Sequence, residues 1–307
     1  MITILMAAYQ GEAYIREQLD SILAQEEIDW RLVIWDDGSQ DATPEILEEY
    51  AACYPQQITV RRNPKNLGST KNFLSMLMAY DSEYYMFADQ DDIWHPDKLT
   101  RTKRRMLQME KRYGKETPAL VCTDAAVVDR EAKPLQPSFT RVQHFDMKQR
   151  SLPHLLMENL CIGCTMMMNR ALAALITELP EKARFHDWWV ALAAAAFGNI
   201  SYLDVPTLDY RQHGHNVVGT QDFTSYVKGR LKDVKAMKAA LEATFAQAEE
   251  FLSIYGDHPK LSGERLSELS SFVRLPQMGL AERRLRTLRG GYVKSGLVRN
   301  LGLMLIL

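Results

Sequence analysis

Two rhythms of apolar and polar positions alternate through the first 90 residues: short apolar runs, each followed by a segment whose apolar residues recur every three to four positions. The first rhythm suits buried strands and the second amphipathic helices, so the pattern predicts parallel β-α-β units. Strands are expected at 2–6, 32–35, 58–60 and 84–88. Between them, Ile15, Leu19, Ile22 and Leu23 mark one face of a helix over 12–25. Pro44 falls in the first turn of a helix over 43–52, where its missing N–H costs nothing, and a third helix covers 69–79. Open sheets of this kind bind ligands beyond the carboxyl ends of their strands, so the polar residues after each apolar run are the first candidates for chemistry.

From 120 to about 219 the pattern is mixed: strands at 120–122 and 165–168, helices at 170–178 and 187–197, and short strands near 200 and 208. After 223 it becomes helical, with one segment over 226–255, a hinge at 256–259 and two shorter helices beyond. The predicted fold is α/β: a mostly parallel sheet flanked by helices over 1–222, divided near 118/119, with a helical C-terminal region over 223–307.

With 46% hydrophobic and 25% charged residues, the 307-residue chain holds enough apolar material for one large core. A formal net charge of −2 gives no bulk attraction to nucleic acid. Four cysteines make no disulfide framework and favour a reducing, cytoplasmic setting. Cys161 and Cys164 have CxxC spacing, yet no second pair completes a metal site, and they read as part of a buried strand. The first residues lack the basic start of a signal peptide, and no apolar run approaches a membrane span. Over 283–307, Arg283, Arg284, Arg286, Arg289, Lys294 and Arg299 interleave with leucines and no acidic residue occurs. That mixture suits peripheral contact with an anionic leaflet, and equally a helix packed on the main domain with its charges in water.

Asp89-Gln90-Asp91-Asp92 directly follows the fourth apolar run. Carboxylates so close repel unless a cation or donor separates them, and their oxygens suit Mg²⁺ or Mn²⁺; an acidic turn before the helix beginning near Pro96 has the same spacing. Asp36-Asp37-Gly38-Ser39 follows the second run, with Asp41 close behind, and Ala7-Ala8-Tyr9-Gln10-Gly11-Glu12 follows the first. Later, His186-Asp187-Trp188-Trp189 opens a helix: a carboxylate against indoles loses solvation and gains basicity, and the rings offer a sugar platform, although an N-cap over core tryptophans reads the same way. Tyr210-Arg211-Gln212-His213-Gly214-His215-Asn216 gathers an arginine and two histidines after a short strand.

The segments MAAYQGEAYIREQLDSI, VIWDDGSQDAT, NPKNLGSTKNF and FADQDDIW, in that order, closely resemble family 2 glycosyltransferases with the GT-A fold, over about residues 1–220. The SDQDDxW-like and YRQHxxN-like texture is most similar to bacterial rhamnosyltransferases of cell-wall or O-antigen polysaccharide synthesis. The resemblance implies that Ala8, Tyr9 and Glu12 border a nucleotide, that Asp36 reads its base, and that Asn66, Gly68 and Lys71 shape the ribose and diphosphate side. It further implies Asp89 facing the ribose, Asp91 and His213 on Mn²⁺ or Mg²⁺, Arg211 near the diphosphate, and Asp187 as catalytic base, with Gly163-Cys164-Thr165 lining the acceptor pocket. Donor and acceptor would be dTDP-β-L-rhamnose and a lipid-linked saccharide at the inner face of the cytoplasmic membrane; another donor such as UDP-glucose or UDP-galactose, a non-catalytic sugar-nucleotide binder and a homo-oligomer stay open. A phosphotransferase with an aspartyl nucleophile is disfavoured, because Ala7-Ala8-Tyr9 stands where that Asp would follow the first strand.

Overall fold

The computed structural model describes residues 1–213 and 234–307. Strands β1 (Ile2–Ala8), β2 (Trp30–Asp36), β3 (Ile58–Arg62) and β4 (Tyr84–Ala88) alternate with helices α1 (Ile15–Leu23), α2 (Thr43–Cys53) and α3 (Ser69–Ala79). There follow β5 (Ile93–Trp94), α4 (Lys98–Tyr113), β6 (Ala119–Val128), β7 (Pro134–Gln136), α5 (Phe139–Val142) and α6 (Leu152–Met157). Next come β8 (Met166–Asn169), α7 (Arg170–Ala173), α8 (His186–Phe197) and β9 (Asn199–Arg211). Four helices complete the described chain: α9 (Val234–Tyr255), α10 (Gly263–Val273), α11 (Leu280–Arg289) and α12 (Leu297–Ile306).

All the strands form one nine-stranded sheet in the order β3-β2-β1-β4-β8-β6-β9-β5, with β7 beside β6. The β3-β2-β1-β4 part is parallel, and β8 runs antiparallel to both β4 and β6. Both faces of the sheet are covered, which explains why the central strands read as unbroken apolar runs. Ile2, Ile4, Met6, Leu32, Ile34 and Met86 pack toward the side of α1, α2 and α4, and Leu5, Val33, Trp35 and Phe87 toward that of α3, α6 and α8.

Four expectations change in detail. The two short strands near 200 and 208 are one strand, β9, which follows β6 through shifts of register. Pro206 interrupts the apolar pattern at one such shift, opposite Asp124, where a residue without an N–H is tolerated. The helix expected over 170–178 ends at Ala173. The C-terminal region has three shorter helices rather than two, since Gly290-Gly291 parts α11 from α12, Gly291 having φ +72°. The expected hinge at 256–259 is a packed turn, with the His258 ring 4.9 Å from that of Phe197.

The C-terminal helices share a core with the main sheet. Leu241, Ala248, Phe251, Tyr255, Leu269, Phe272, Tyr292, Leu303 and Leu307 belong to the same buried cluster as Trp189 and Leu192 of α8. Fully burying one large apolar side chain stabilises by about 1.5–3 kcal/mol, so these contacts bind the region firmly. Two basic residues of 283–307 also turn inward. Arg283 donates to the carbonyls of Leu275, Pro276, Met278 and Leu307, and Arg299 pairs with Glu158 at 2.8 Å. No helix among the described residues is long and apolar enough to cross a membrane.

Candidate active site

Strand register sets the site's position. Ala8 lies beside Asp36 and Met6 beside Ala88, so the loops after β1, β2 and β4 leave one edge of the sheet together. Because β8 is antiparallel to β4, the turn Gly163–Thr165 before it returns to that edge.

The loop after β1 is tied to those after β4 and β2. Gln90 grips the backbone of Tyr9, whose N–H donates to Oε1 at 2.8 Å while Nε2 donates to the Tyr9 carbonyl at 2.9 Å. Gly11 makes room for this grip, since a Cβ there would stand 2.3 Å from Gln90 Oε1. The Tyr9 ring is 49% exposed and free to meet a planar ligand, whereas Ala8 is buried. Glu12 turns elsewhere: its carboxylate accepts the Ala42 N–H at 2.8 Å, holding the β2 loop at the start of α2.

Asp36 is buried and receives the Ser39 N–H on both oxygens at 3.2 Å, with Arg62 Nε 3.5 Å away. Its neighbour Asp37, which carried no separate expectation, shapes the next loop by accepting from Leu67 N, Gly68 N and Asn63 Nδ2. Asn66 bonds the Asp37 carbonyl at 3.0 Å, and Gly68, with φ +76°, caps α3. Lys71, in the first turn of α3, pairs with Glu181 at 2.8 Å across an exposed gap.

At the centre stands an acidic cluster. Asp91 Oδ2 is 2.7 Å from His213 Nε2, and the His213 ring stacks on Tyr14 with centroids 5.0 Å apart. Asp89 is pushed up to about 7 by burial and by the charges of Asp91 and Asp187. Asp92 is raised by burial and by Asp91 and Asp89; one of its oxygens accepts the Arg211 N–H at 3.3 Å, and the other is buried without a partner. Beneath them the fully buried Lys98 donates to the Cys164 carbonyl at 2.8 Å and lies 4.7 Å from the Trp94 ring centre; burial lowers it to about 8.

Arg211 departs from its expected place at a diphosphate. Its guanidinium is buried behind the acidic loop, donating to the carbonyls of Asp91 and Arg130 and to Glu17 at 2.6 Å. Those bonds occupy the fork and make Arg211 a brace for the loop in this conformation. His215 and Asn216 lie outside the described residues.

The donor atoms divide into two sets. Asp89, Asp92 and Cys164 bring ligand atoms within 4.8 Å of one another, but burial raises the Cys164 thiol well above its ordinary value, so it stays protonated and binds no hard cation. The Asp91 carboxylate and His213 imidazole, only partly covered, fit Mg²⁺ or Mn²⁺ better.

Asp187 is the second residue of α8. One oxygen accepts from Asn159 Nδ2 at 3.0 Å and Trp188 N at 2.6 Å, and the other from Gly163 N at 3.0 Å. Burial raises its pKa to about 6 against the pull of those three donors. Asn159 carried no sequence signal as a partner, since 28 residues separate it from Asp187. The neighbouring His186 is held neutral, at about 3, by burial between Phe73 and Phe87. The tryptophans are core rather than a sugar platform: Trp188 Nε1 bonds the Leu155 carbonyl at 2.6 Å, and Trp189 packs on Phe251.

The family model described as "Glycosyl transferase family 2" matches residues 3–173. The chain belongs to this family. The matched span carries Asp36, Asp89 and Asp91, while Asp187, Arg211 and His213 lie beyond it. This glycosyltransferase is 30% identical over 226 residues to a protein of Shigella flexneri named dTDP-rhamnosyl transferase RfbG, covering 70% of this chain and 73% of the relative. It is 26% identical to the putative glycosyltransferase EpsH of Bacillus subtilis, covering 71% and 62% respectively. Its fold matches S. aureus TarS, solved with UDP-GlcNAc, with a TM-score of 0.59 at 16% identity over 94% of this chain and 79% of that one. It also matches the mannosyltransferase PcManGT of Pyrobaculum calidifontis, solved with GDP-Man and Mn²⁺, with a TM-score of 0.53 at 16% identity over 95% and 84%. The architecture is therefore GT-A-like, with helices added after the sheet.

Proposed function

We propose that this glycosyltransferase performs an inverting, single-displacement transfer from a nucleoside diphosphate sugar to a saccharide hydroxyl. The observation that carries the reading is the meeting of Asp187 with the acidic cluster: its charge reaches Asp89, and its pKa near 6 lets it stand ionised at neutral pH while still basic enough to take a proton. Asp187 removes the acceptor proton, the oxygen attacks the anomeric carbon opposite the diphosphate, and the bond to the diphosphate breaks with its electron pair leaving on that group. Tyr9 and Asp36 bind the nucleoside, and Asn66, Gly68 and Lys71 border the phosphates, Lys71 exchanging Glu181 for the ligand. Asp89 faces the ribose. Ala8 and Glu12 act through the loops they hold, and Arg211 by bracing Asp91. Asp91 and His213 would hold Mn²⁺ or Mg²⁺, whose chemistry is neutralisation of the departing diphosphate.

The donor proposed is dTDP-β-L-rhamnose and the acceptor a lipid-linked polysaccharide precursor, supported by likeness to the Shigella protein. Melting curves with Mn²⁺ and dTDP-rhamnose, UDP-glucose, UDP-galactose or GDP-mannose test this. The dTDP sugar should raise the melting temperature most, because a ligand of the folded state alone stabilises it. A larger rise with a UDP or GDP sugar refutes the donor assignment, and no rise with any of them refutes the nucleotide site.

Peripheral attachment at the inner leaflet is the second part of the reading. Leu285 and Leu288 of α11 and Leu297, Leu301 and Leu305 of α12 are exposed, Leu297 by 75%, and Arg284, Arg286, Arg289 and Lys294 lie among them in sequence. Sedimentation with vesicles containing phosphatidylglycerol should capture the protein. Leu297→Glu with Leu301→Glu should weaken capture by about tenfold or more, since each leucine withdrawn from lipid forfeits more than 1 kcal/mol. Unchanged capture of this double variant would remove the helix from the proposal.

A further inference from the structure

A second polar cavity lies at the opposite edge of the sheet. β6 and β9 begin there, with Ala119 beside Asn199, while the acidic cluster occupies the edge where β4 ends. Five residues of strand put about 17 Å between the two edges. The cavity has a volume of about 310 Å³. One wall is a face of α4 carrying Arg105, Arg112 and Tyr113; the other is Arg150 with Asn199 and Ser201.

Its electrostatics are unbalanced. Among the described residues no carboxylate lines the cavity, and none of its three arginines forms an ion pair with one. Arg105 Nε is buried without a hydrogen-bond partner, a group whose desolvation is uncompensated. Arg150 Nε reaches the Ile200 carbonyl at 3.4 Å, and the Arg112 guanidinium lies 5.1 Å from the Tyr113 ring centre. α4 adds to the field: Arg101 and Lys103 are paired with Asp97 and Glu27, but Arg104 and Lys111 contribute further positive charge beside this face. Three arginines lining one concavity without an opposing charge leave it positive, and an anion that enters relieves their mutual repulsion. Their planar donor sets match phosphate oxygens, and the Asn199 and Ser201 side chains can complete the coordination.

We infer that this cavity is a second binding site, distinct from the nucleotide edge, for a phosphate-bearing ligand. Free phosphate or phosphate ester and the phosphate of a lipid headgroup share this chemistry. Titration of the full chain in EDTA with inorganic phosphate and pyrophosphate, followed by calorimetry, tests it. Wild type should bind one of them, and Arg105→Gln and Arg112→Gln should each weaken that binding about tenfold or more, the loss expected for one charged hydrogen-bond donor. Both variants should retain the wild-type response to nucleotide with Mn²⁺, which separates failure here from failure of the edge site. Vesicles containing phosphatidic acid decide the source: capture that free phosphate competes away, and that Arg112→Gln reduces, assigns the lipid headgroup, whereas phosphate binding without such capture assigns a soluble ligand. Absence of phosphate and pyrophosphate binding, or binding unchanged in both variants, overturns the site.

Discussion

Asp187→Asn should lower turnover by about 10²–10⁴-fold while leaving the affinity for nucleotide within a few-fold of wild type. That range is what a positioned general base contributes, and the substitution keeps the shape of the side chain while removing its ability to accept a proton. The pH profile supplies an independent reading. With a pKa near 6, Asp187 is protonated and idle below that value and ionised above it, so kcat/KM should rise through about pH 6 and then level. The residual activity of Asp187→Asn should lack this acid limb. A variant losing nucleotide affinity and turnover alike would make Asp187 part of the binding surface instead. Asn159→Ala should move the acid limb upward, because removing a donor to the carboxylate leaves burial less opposed.

The second large effect is expected at Asp91. Asp91→Ala should reduce Mn²⁺-dependent nucleotide binding by about a hundredfold or more, bringing it close to the affinity wild type has in EDTA. Loss of the carboxylate also deprives His213 of its 2.7 Å partner, so His213→Ala should act in the same direction and add little to Asp91→Ala when the two are combined. Calorimetric titration of nucleoside diphosphate with and without Mn²⁺ checks both. Full retention of the Mn²⁺ dependence in Asp91→Ala would transfer metal binding to other residues, with Asp89 and Asp92 the clustered oxygen donors to test next.

The first half of the fold was legible because its strands are covered on both sides and its helices on one, leaving two clean periods in the chain. The helix expected over 69–79 is Ser69–Ala79, and the strand expected over 84–88 is Tyr84–Ala88. The loops after the strands were legible as a common edge for the same reason, since parallel connection sends their carboxyl ends one way. What each side chain does within those loops was not. Asp36 and Asp37 are adjacent carboxylates, yet one holds Ser39 and the other organises the backbone near residue 67, a distinction set by which oxygen meets which N–H. Gln90 clasps Tyr9 across 81 positions and Asn159 reaches Asp187 across 28, and no local pattern encodes such pairs. Arg211 and the two tryptophans misled for a related reason: both residue types suit ligands, and only burial reveals that they belong to the interior, Arg211 bonded to the Asp91 carbonyl, Trp188 to that of Leu155 and Trp189 packed on Phe251.

The helix bearing Asp187 is packed between the sheet and the C-terminal helices, with Trp189 touching Phe251 on the far side. Cutting the chain within 283–307 would strip Leu303 and Leu307 from that same cluster. A truncated protein that falls off membranes could thus also have a loosened proton acceptor, and surface leucine replacements are the cleaner way to separate attachment from chemistry. The converse holds as well. The outer helices are joined to α8 by continuous packing through Leu303, Phe251 and Trp189, so a change at their surface has a solid route to the helix that carries Asp187.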